Sequence, residues 1–389
     1  MQSKKEHIII VGGGVIGSAI ACFLAMHPRF AGTVCVIERD SSYTQASSAL
    51  SAGSIRQQFS TPINIAMSQF GVNFLRDLRT LAVDNVAPEV GLHEGGYLYL
   101  ASASGAATLR ENHAIQLQHQ VDAHLLEPMA LQKKFPWLAT QDLMLASLGQ
   151  TGEGWFDGYG LMMAFRRKAR NLGVQYMNAN VQNISHRSSR VDAVCLHDGS
   201  VLPCDWVINA AGAWARSLMQ DTEFNLPVVG KKRCVFSFSS PALTPHCPLV
   251  IDPSGMWFRP EGHNWICGLP PIHDPDNVAL EVDHDLFDTI WPLLADRVPG
   301  FAALRVQSSW AGYYDYNTFD QNGIVGPHPH LSNFLLANGF SGHGLQHAPA
   351  VGRALAEWIV DGAYTSLDLS ALSAQRIVEN QALLEKNII

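Results

Sequence analysis

The stretch His7 to Ala25, HIIIVGGGVIGSAIACFLA, constrains the fold more than any other part of the chain. A short β-branched run leads into Gly12, Gly14 and Gly17, spaced as G-x-G-x-x-G, and an apolar helical segment follows. In that spacing the first glycine permits a tight turn, the second lets backbone approach a pyrophosphate, and the third lets helix and strand pack closely. The start of the helix then offers free N–H groups and a partial positive charge to phosphate. The next apolar run, TVCVIERD, ends a second strand at Glu38, about 20 residues beyond Gly17, where an acid can accept hydrogen bonds from ribose hydroxyls. Strand, glycine turn, helix, strand and acid together predict a dinucleotide site. Glu38 disfavours a 2′-phosphate, and the pattern by itself does not separate NAD from FAD. A rival reading takes residues 8–26, uncharged behind Lys4 and Lys5, as a signal peptide or membrane helix. The placement of the glycines argues against it.

The chain has 389 residues, 47% of them hydrophobic, enough for two domains or one large α/β domain with an insertion. A net charge of −8 and the lack of a long basic run exclude a nucleic-acid footprint. The short cluster Lys231-Lys232-Arg233 reads as a solvated strand end. Seven cysteines form no C-x-x-C pair, so neither a disulfide framework nor a zinc site is expected, and a reducing, cytoplasmic setting follows. His328 and His330 lie in the proline loop GPHPH, so no metal site and no membrane span are expected.

Along the rest of the chain, SSYTQASSALSAGSIRQQFS reads as a polar loop. Thr61-Pro62 looks like an N-cap and first helical position, and Ala66, Phe70, Phe74, Leu78 and Leu81 follow at helical spacing. Residues 94–101 alternate like a strand, and 104–138 read as helical up to Pro136. GEGWFDGYG at 152–160 is a glycine-rich loop before the helix LMMAFRRKARNLG. The run VQYMNANVQNIS reads as one strand. A hairpin then turns at Asp198-Gly199, its second strand running into Ala210-Ala211-Gly212. From 226 to 320 the chain is strand-rich, with a helical piece at 284–295, and NFLLANGF at 333–340 is a last buried strand. RIVENQALLEKNII reads as a helix packed on its own domain or on a partner. The order predicts one nucleotide domain built from three segments (1–90, 150–222 and 321–389) and a substrate domain inserted twice (91–149 and 223–320).

The last strand delivers the chain into NGFSGHGLQHAPAVGRALAEWI, three glycines and a histidine before an apolar helix. A glycine cluster marks a tight turn or a backbone held close to something. On these residues alone an ordinary helix start and a ligand-facing loop stand equal.

Taken together, HIIIVGGGVIGSAIACFLA with Glu38, WVINAAGAWA, WFRPEG and NGFSGHGLQHAPAVGRALAEWI resemble the FAD-dependent amine and D-amino-acid oxidoreductases, across essentially the whole chain. That superfamily includes sarcosine oxidase, dimethylglycine dehydrogenase, glycine oxidase and D-amino-acid dehydrogenases. GSIRQQFSTPINIAMSQF with GFSGHGLQHAPAVGRA resembles the branch holding the mitochondrial flavoprotein that helps assemble respiratory complex I. The resemblance implies an α/β fold with a Rossmann-like FAD-binding domain of glutathione-reductase type and an inserted mixed α+β substrate domain. It implies FAD contacts at Gly12, Gly14, Val15 and Ile16 for the pyrophosphate, and at Glu38 and Arg39 for the adenosine end. Ser47, Ser48, Ala49, Leu50 and Ser51 would run past the ribityl chain, Val181 would meet adenine, and Ala210, Ala211 and Gly212 would close over the cofactor. Gly342, His343, Gly344, Leu345 and Gln346 would contact the flavin, a positive helix end stabilising negative charge on the ring.

Departures from the family pattern sharpen these expectations. Where some relatives attach flavin through a cysteine, this chain has Gly312-Tyr313-Tyr314, and where others use a histidine it has Leu50 or a neighbour, which implies non-covalent FAD. A lysine that promotes reaction with oxygen corresponds to Ile266, which favours dehydrogenase behaviour. A lysine that helps hold a substrate carboxylate corresponds to Gln346, which argues against simple sarcosine chemistry.

The implied reaction takes a hydride from the carbon beside an amine nitrogen to flavin N5, and the imine then hydrolyses, with the cofactor carrying the hard step. The small-molecule substrate would be a secondary amine or amino acid of N-methyl or D-amino-acid type, with the electron acceptor open. Trp257, Trp310, Tyr313 and Tyr314 are candidates for an apolar wall, with sheet packing as the alternative. Arg56, then Arg259, are candidates for binding a carboxylate, and His343 for acid–base work because histidine titrates near neutrality. Two other functions compete: a flavin-binding assembly factor with little turnover, and an NAD-dependent dehydrogenase that leaves the C-terminal glycine loop unexplained.

Overall fold

The computed structural model describes residues 5–386; the ends of the first and last predicted segments, 1–4 and 387–389, lie outside the described residues. Two sheets organise the chain. The first has six strands in the order Ile324–Pro327, Phe334–Asn338, Trp206–Asn209, His7–Val11, Thr33–Glu38 and Gln175–Asn178. All neighbours run parallel except the outermost pair, 324–327 with 334–338. Parallel strands covered by helices on their faces read as unbroken apolar runs. Ile8, Ile9 and Ile10 are accordingly all 0% exposed. The helices Val15–Met26, Gly158–Asn171 and Gly344–Asp361 pack together on one face, and their core includes Ile20, Phe165 and Leu355.

The second sheet has eight strands, in the order Arg305–Asn317, Val228–Ser239, Asn264–Gly268, Trp257–Glu261, Leu249–Ile251, Tyr97–Ala101, Leu145–Gly149 and Ala123–Leu126. One face buries Phe236, Phe238 and Phe258 in a core shared with the helix Leu286–Arg297 and with Phe301 from the turn Pro299–Ala303. Among the described residues no helix is long and apolar enough to cross a membrane.

Four local expectations give way to a different structure. Residues 104–138 form two helices, Ala106–Gln118 and Pro128–Lys134, with the strand Ala123–Leu126 between them. The break comes at Gln120, which takes a left-handed conformation at φ 59°. The run VQYMNANVQNIS is two strands: Gln175–Asn178 joins the six-stranded sheet, whereas Val181–Arg187 pairs with Arg190–Leu196. The hairpin's return strand ends at Pro203, and Trp206–Asn209 crosses to the main sheet to run parallel to the first strand. The C-terminal run has only one helical turn, Gln375–Val378. Beyond it the chain is an extended strap. Glu385 accepts from the Ser60 amide (2.7 Å), the Ser60 and Thr61 hydroxyls and the Asn64 amide nitrogen (2.6 Å) at the start of helix Pro62–Arg76. Thr61 is the N-cap residue as read from the sequence, but its hydroxyl serves the strap instead of the helix backbone.

Candidate active site

A cavity of about 640 Å³ opens along the C-terminal ends of the parallel strands and continues to the eight-stranded sheet. At one end the first strand turns into its helix. Gly12 has φ +103°, and a side chain there would place Cβ 2.3 Å from the Ala210 carbonyl oxygen. Only glycine lets the chain make that turn against the neighbouring strand. The helix starts at Gly14 with no side-chain cap of its own, and the Val15 amide donates to Ser48 Oγ at 3.0 Å. Glu38 stands opposite. Its Oε2 accepts from the Gly13 amide (2.7 Å) and its Oε1 from the Asp40 amide (2.9 Å), which fixes both carboxylate oxygens at the cavity wall. Arg39 has its guanidinium carbon 3.6 Å from the centre of the Trp214 ring.

Of the residues expected at a cofactor, Gly12, Gly14, Val15, Ile16, Glu38, Arg39, Ser47, Ser48, Leu50, Ser51, Val181, Ala210, Ala211, Gly212, Gly342, Gly344 and Leu345 all line this one cavity. Ala49, His343 and Gln346 do not. The lining fits a dinucleotide with a long ring system: a side-chain-free turn, a helix N-terminus, an oriented carboxylate and a run of small residues. At the other end the wall includes Trp257, Tyr313 and Tyr314. Tyr314 is 38% exposed even though it sits mid-strand, and the space it faces is the cavity. Trp310 lies off the cavity, and its indole N–H donates to the Leu50 carbonyl at 2.9 Å.

The C-terminal glycine loop is held by Asp315, whose Oδ2 accepts from the amides of Gly339 (2.9 Å) and Phe340 (3.2 Å). Burial pushes this carboxyl up to about 6. Gly342 has φ +98°, and an added Cβ would lie 2.6 Å from the Tyr314 ring. The loop is therefore pressed against the aromatic wall, and the helix Gly344–Asp361 starts at the cavity without a side-chain cap.

Arg56 is half-buried near that wall, close enough for its charge to act on Tyr314, and is not itself among the residues lining the cavity. Its guanidinium lies 4.4 Å above the Phe59 ring and 5.5 to 5.9 Å from Tyr99 and Tyr97. Its Nη2 meets His343 Nε2 at 2.9 Å, and its Nε is buried without a partner. A guanidinium only donates, so His343 Nε2 must accept and the imidazole is neutral. Burial, then Arg56 and His347, holds the His343 pKa well below the ordinary value. The expectation that His343 titrates near neutrality therefore fails; this ring orients Arg56. Gln346, buried, accepts from the Arg56 amide at 2.7 Å and fixes the same residue from its backbone side.

Arg259 is also turned away from a carboxylate-binding role. Its Nε and Nη2 donate to the Ala52 carbonyl (3.2 and 2.6 Å) and its Nη1 to the Pro260 carbonyl and the Glu261 carboxylate. It ties the 52 loop to the sheet. Ile266 is 2% exposed and lies off the cavity, and no lysine is among the residues lining it.

Sequence reading missed Glu153. This residue is 0% exposed, and it accepts from the amides of Gln57 (2.5 Å) and Gln58 (2.9 Å) and from Gln58 Nε2 (2.7 Å). It clamps the two residues after Arg56. Burial raises its carboxyl to about 7. The usable signal was an acid between glycines in GEGW, next to a strand.

The DAO family profile, described as FAD dependent oxidoreductase, matches residues 7–358. The chain belongs to this family. A Xenopus laevis FAD-dependent oxidoreductase domain-containing protein 1 is 43% identical over 100% of this chain and 86% of its own length. Rattus norvegicus mitochondrial dimethylglycine dehydrogenase is 26% identical over 92% of this chain and 43% of its own length. Among solved structures, L-proline dehydrogenase from P. horikoshii superposes with a TM-score of 0.86 at 24% identity, covering 98% of this chain and 100% of that one. Glycine oxidase from Geobacillus kaustophilus superposes with a TM-score of 0.81 at 22% identity, covering 95% and 98%. FAD is accordingly the cofactor of this DAO-family chain, and the cavity's turn, helix start and acid are the parts that fit it.

Proposed function

We propose that the chain oxidises the C–N bond of a secondary amine or amino acid that carries a carboxylate, of N-methyl or D-amino-acid type. The observation that carries this reading is Arg56: a guanidinium packed on three aromatic rings, held from two sides by His343 and Gln346, with Nε buried and unpartnered. A fork of donors placed this way suits a carboxylate. Relatives and fold neighbours named for dimethylglycine, proline and glycine, all carboxylate-bearing amines, support it.

Bound FAD supplies the acceptor for the hydride leaving the carbon beside nitrogen, and the imine hydrolyses. The chain supplies the rest. Glu38 and Arg39 hold the adenosine end, with Val181 beside the base. Gly12, Gly14, Val15 and Ile16 take the pyrophosphate, and Ser47, Ser48, Leu50 and Ser51 take the ribityl region, with Ala49 acting only through the loop. Ala210, Ala211 and Gly212 close over the cofactor, while Gly342, Gly344 and Leu345 meet the ring. Trp257 and Tyr314 exclude water from the reacting carbon. His343 and Arg259 position Arg56 and the 52 loop. On this reading the six-stranded sheet belongs to an FAD domain of residues 1–90, 150–222 and 321–389, and the eight-stranded sheet to a substrate domain of 91–149 and 223–320. The cofactor is held without a covalent bond, since Gly312, Tyr313 and Tyr314 carry no thiol and Leu50 no imidazole. Ile266 and the lysine-free lining favour an acceptor other than oxygen.

Anaerobic titration of the FAD-loaded protein with N-methyl amino acids, D-amino acids and the same amines without carboxylate tests the reading. Bleaching of the flavin by carboxylate-bearing amines alone is expected. No bleaching by any of them would overturn it.

A further inference from the structure

The cluster Lys231-Lys232-Arg233, which reads as a solvated strand end in the sequence, is a clasp. Lys231 Nζ lies 2.8 Å from Asp276 Oδ1, and Lys232 Nζ donates to the Glu281 carbonyl at 2.9 Å. Arg233 grips Asp274 through two parallel bonds, Nη1 to Oδ1 at 2.8 Å and Nη2 to Oδ2 at 3.0 Å. Asn277 and Gly230 exchange bonds of 2.7 and 2.8 Å, and the Tyr313 hydroxyl donates to the Val278 carbonyl. Residues 270–279 are thus held across two strands of the substrate-side sheet by polar ties. No side chain among 271–279 is fully buried, and Ile272 is fully exposed. A segment with few buried apolar contacts is one that opens locally at low cost.

Arg233 also lines the cavity, as do Leu269 and Pro270 at the root of the segment. Its guanidinium lies 5.4 Å from the Tyr314 ring. Tyr314 feels the charge of both Arg233 and Arg56. Two guanidinium groups therefore lie close enough to act on Tyr314. One has an unpartnered Nε. The other is covered by an aspartate in the fork-to-fork geometry that a substrate carboxylate would adopt.

We propose that Arg233 is a second carboxylate-recognising residue, that Asp274 occupies it as an internal stand-in, and that the substrate is a dicarboxylate amine. One carboxylate binds Arg56. The other displaces Asp274 from Arg233 and frees residues 270–279 from their polar ties. This rests on the amine-oxidation reading above and names its substrate class. No bond other than hydrogen bonds and ion pairs changes in the displacement.

Binding of two non-oxidisable probes, glutarate and butyrate, to the FAD-loaded protein tests it, with perturbation of the flavin's visible spectrum as the readout. Glutarate is expected to bind at least about tenfold tighter than butyrate. Asp274→Asn, which removes the competing charge, is expected to tighten glutarate several-fold and to leave butyrate unchanged. Arg233→Met is expected to abolish the preference for glutarate, whose affinity falls to that of butyrate. Glutarate is also expected to speed proteolytic cleavage within 270–279 in the parent and not in Arg233→Met. Equal affinities in the parent, or a preference that survives Arg233→Met, overturns the proposal. Should Arg233→Met lose FAD, the Asp274→Asn arm decides alone: no gain for glutarate overturns it. Failure of every amine to bleach the flavin, with the glutarate preference intact, would instead count against the oxidation reading and leave the dicarboxylate site standing.

Discussion

Glu153→Gln separates the charge of the buried clamp from its shape. The carboxyl is raised from 4.5 to about 7 by burial, against the opposing pull of the amides of Gln57 and Gln58. A group raised in the folded state binds more protons there than when unfolded, so its stabilising effect is complete below pH 4.5 and is lost as pH rises through 7. Between pH 5 and 8 this one group removes about 2–3 kcal/mol of stability. The glutamine keeps an oxygen for the two backbone amides but turns its own NH₂ towards Gln58 Nε2, which already donates elsewhere only to the Tyr97 carbonyl. Leaving the second N–H of Gln58 Nε2 unpaired costs about 1–3 kcal/mol at every pH. The parent should therefore be the more stable protein at pH 5, and the gap should close or reverse by pH 8. Paired denaturation curves of the FAD-saturated proteins at both pH values measure it, because all other titrating groups cancel between the two proteins. A gap that stays constant across the range would refute the claim that burial dominates at this carboxylate.

Arg56→Ala should raise KM for a carboxylate-bearing amine with little change for its decarboxylated analogue, a loss of about 2–5 kcal/mol in kcat/KM. Gly342→Ala adds a Cβ 2.6 Å from Tyr314 at φ +98°, so FAD affinity should fall on the order of tenfold, about 1.4 kcal/mol, read by flavin fluorescence on dilution. Acid precipitation of the FAD-loaded protein should leave the yellow colour in the supernatant; colour in the pellet would refute the non-covalent reading. Arg376→Met leaves Asp320, 2% exposed, without its partner at 2.8 Å, and thermal unfolding should show a loss of about 3–5 kcal/mol.

What the sequence made legible follows the range of the forces involved. The glycine turn, Glu38 and the parallel apolar strands are local patterns, so a dinucleotide site could be read directly; the other expected contacts came from the family resemblance, and 17 of the 20 expected residues line the cavity. The clamp that places Arg56 was not legible, because Glu153, His343 and Gln346 reach it across sequence separations of nearly a hundred residues or more. Arg259 misled for the same reason: an arginine in a strand looks free until the Ala52 carbonyl, far away in sequence, takes its donors. The basic cluster 231–233 misled in the opposite sense, since its acidic partners at 274 and 276 lie in a segment with no periodicity to announce a contact. The helix expected across 104–138 failed on one residue, Gln120, whose left-handed backbone starts a strand where composition still favours helix.

The same long-range contacts give the site its electrostatic character. His343 and His347 are both held neutral, His347 down to about 3, by burial first and by Arg56 second. Two imidazoles that cannot charge leave Arg56 as the cation of that cluster, and its field opposes any further positive charge nearby. An amine entering beside it meets the same opposition. Its carboxylate is attracted, while its ammonium form is disfavoured relative to the neutral amine that alone can release a hydride. The arginine that recognises the substrate thus also prepares it. The half-buried His343 and the buried His347 keep that effect constant across the pH range in which free histidines would titrate. Arg56→Lys should then retain part of the carboxylate affinity yet shift the alkaline limb of kcat/KM, because a flexible ammonium no longer sits fixed over Phe59, Tyr97 and Tyr99. An unchanged limb with a raised KM would mean that Arg56 only binds, and that the aromatic wall alone selects the neutral amine.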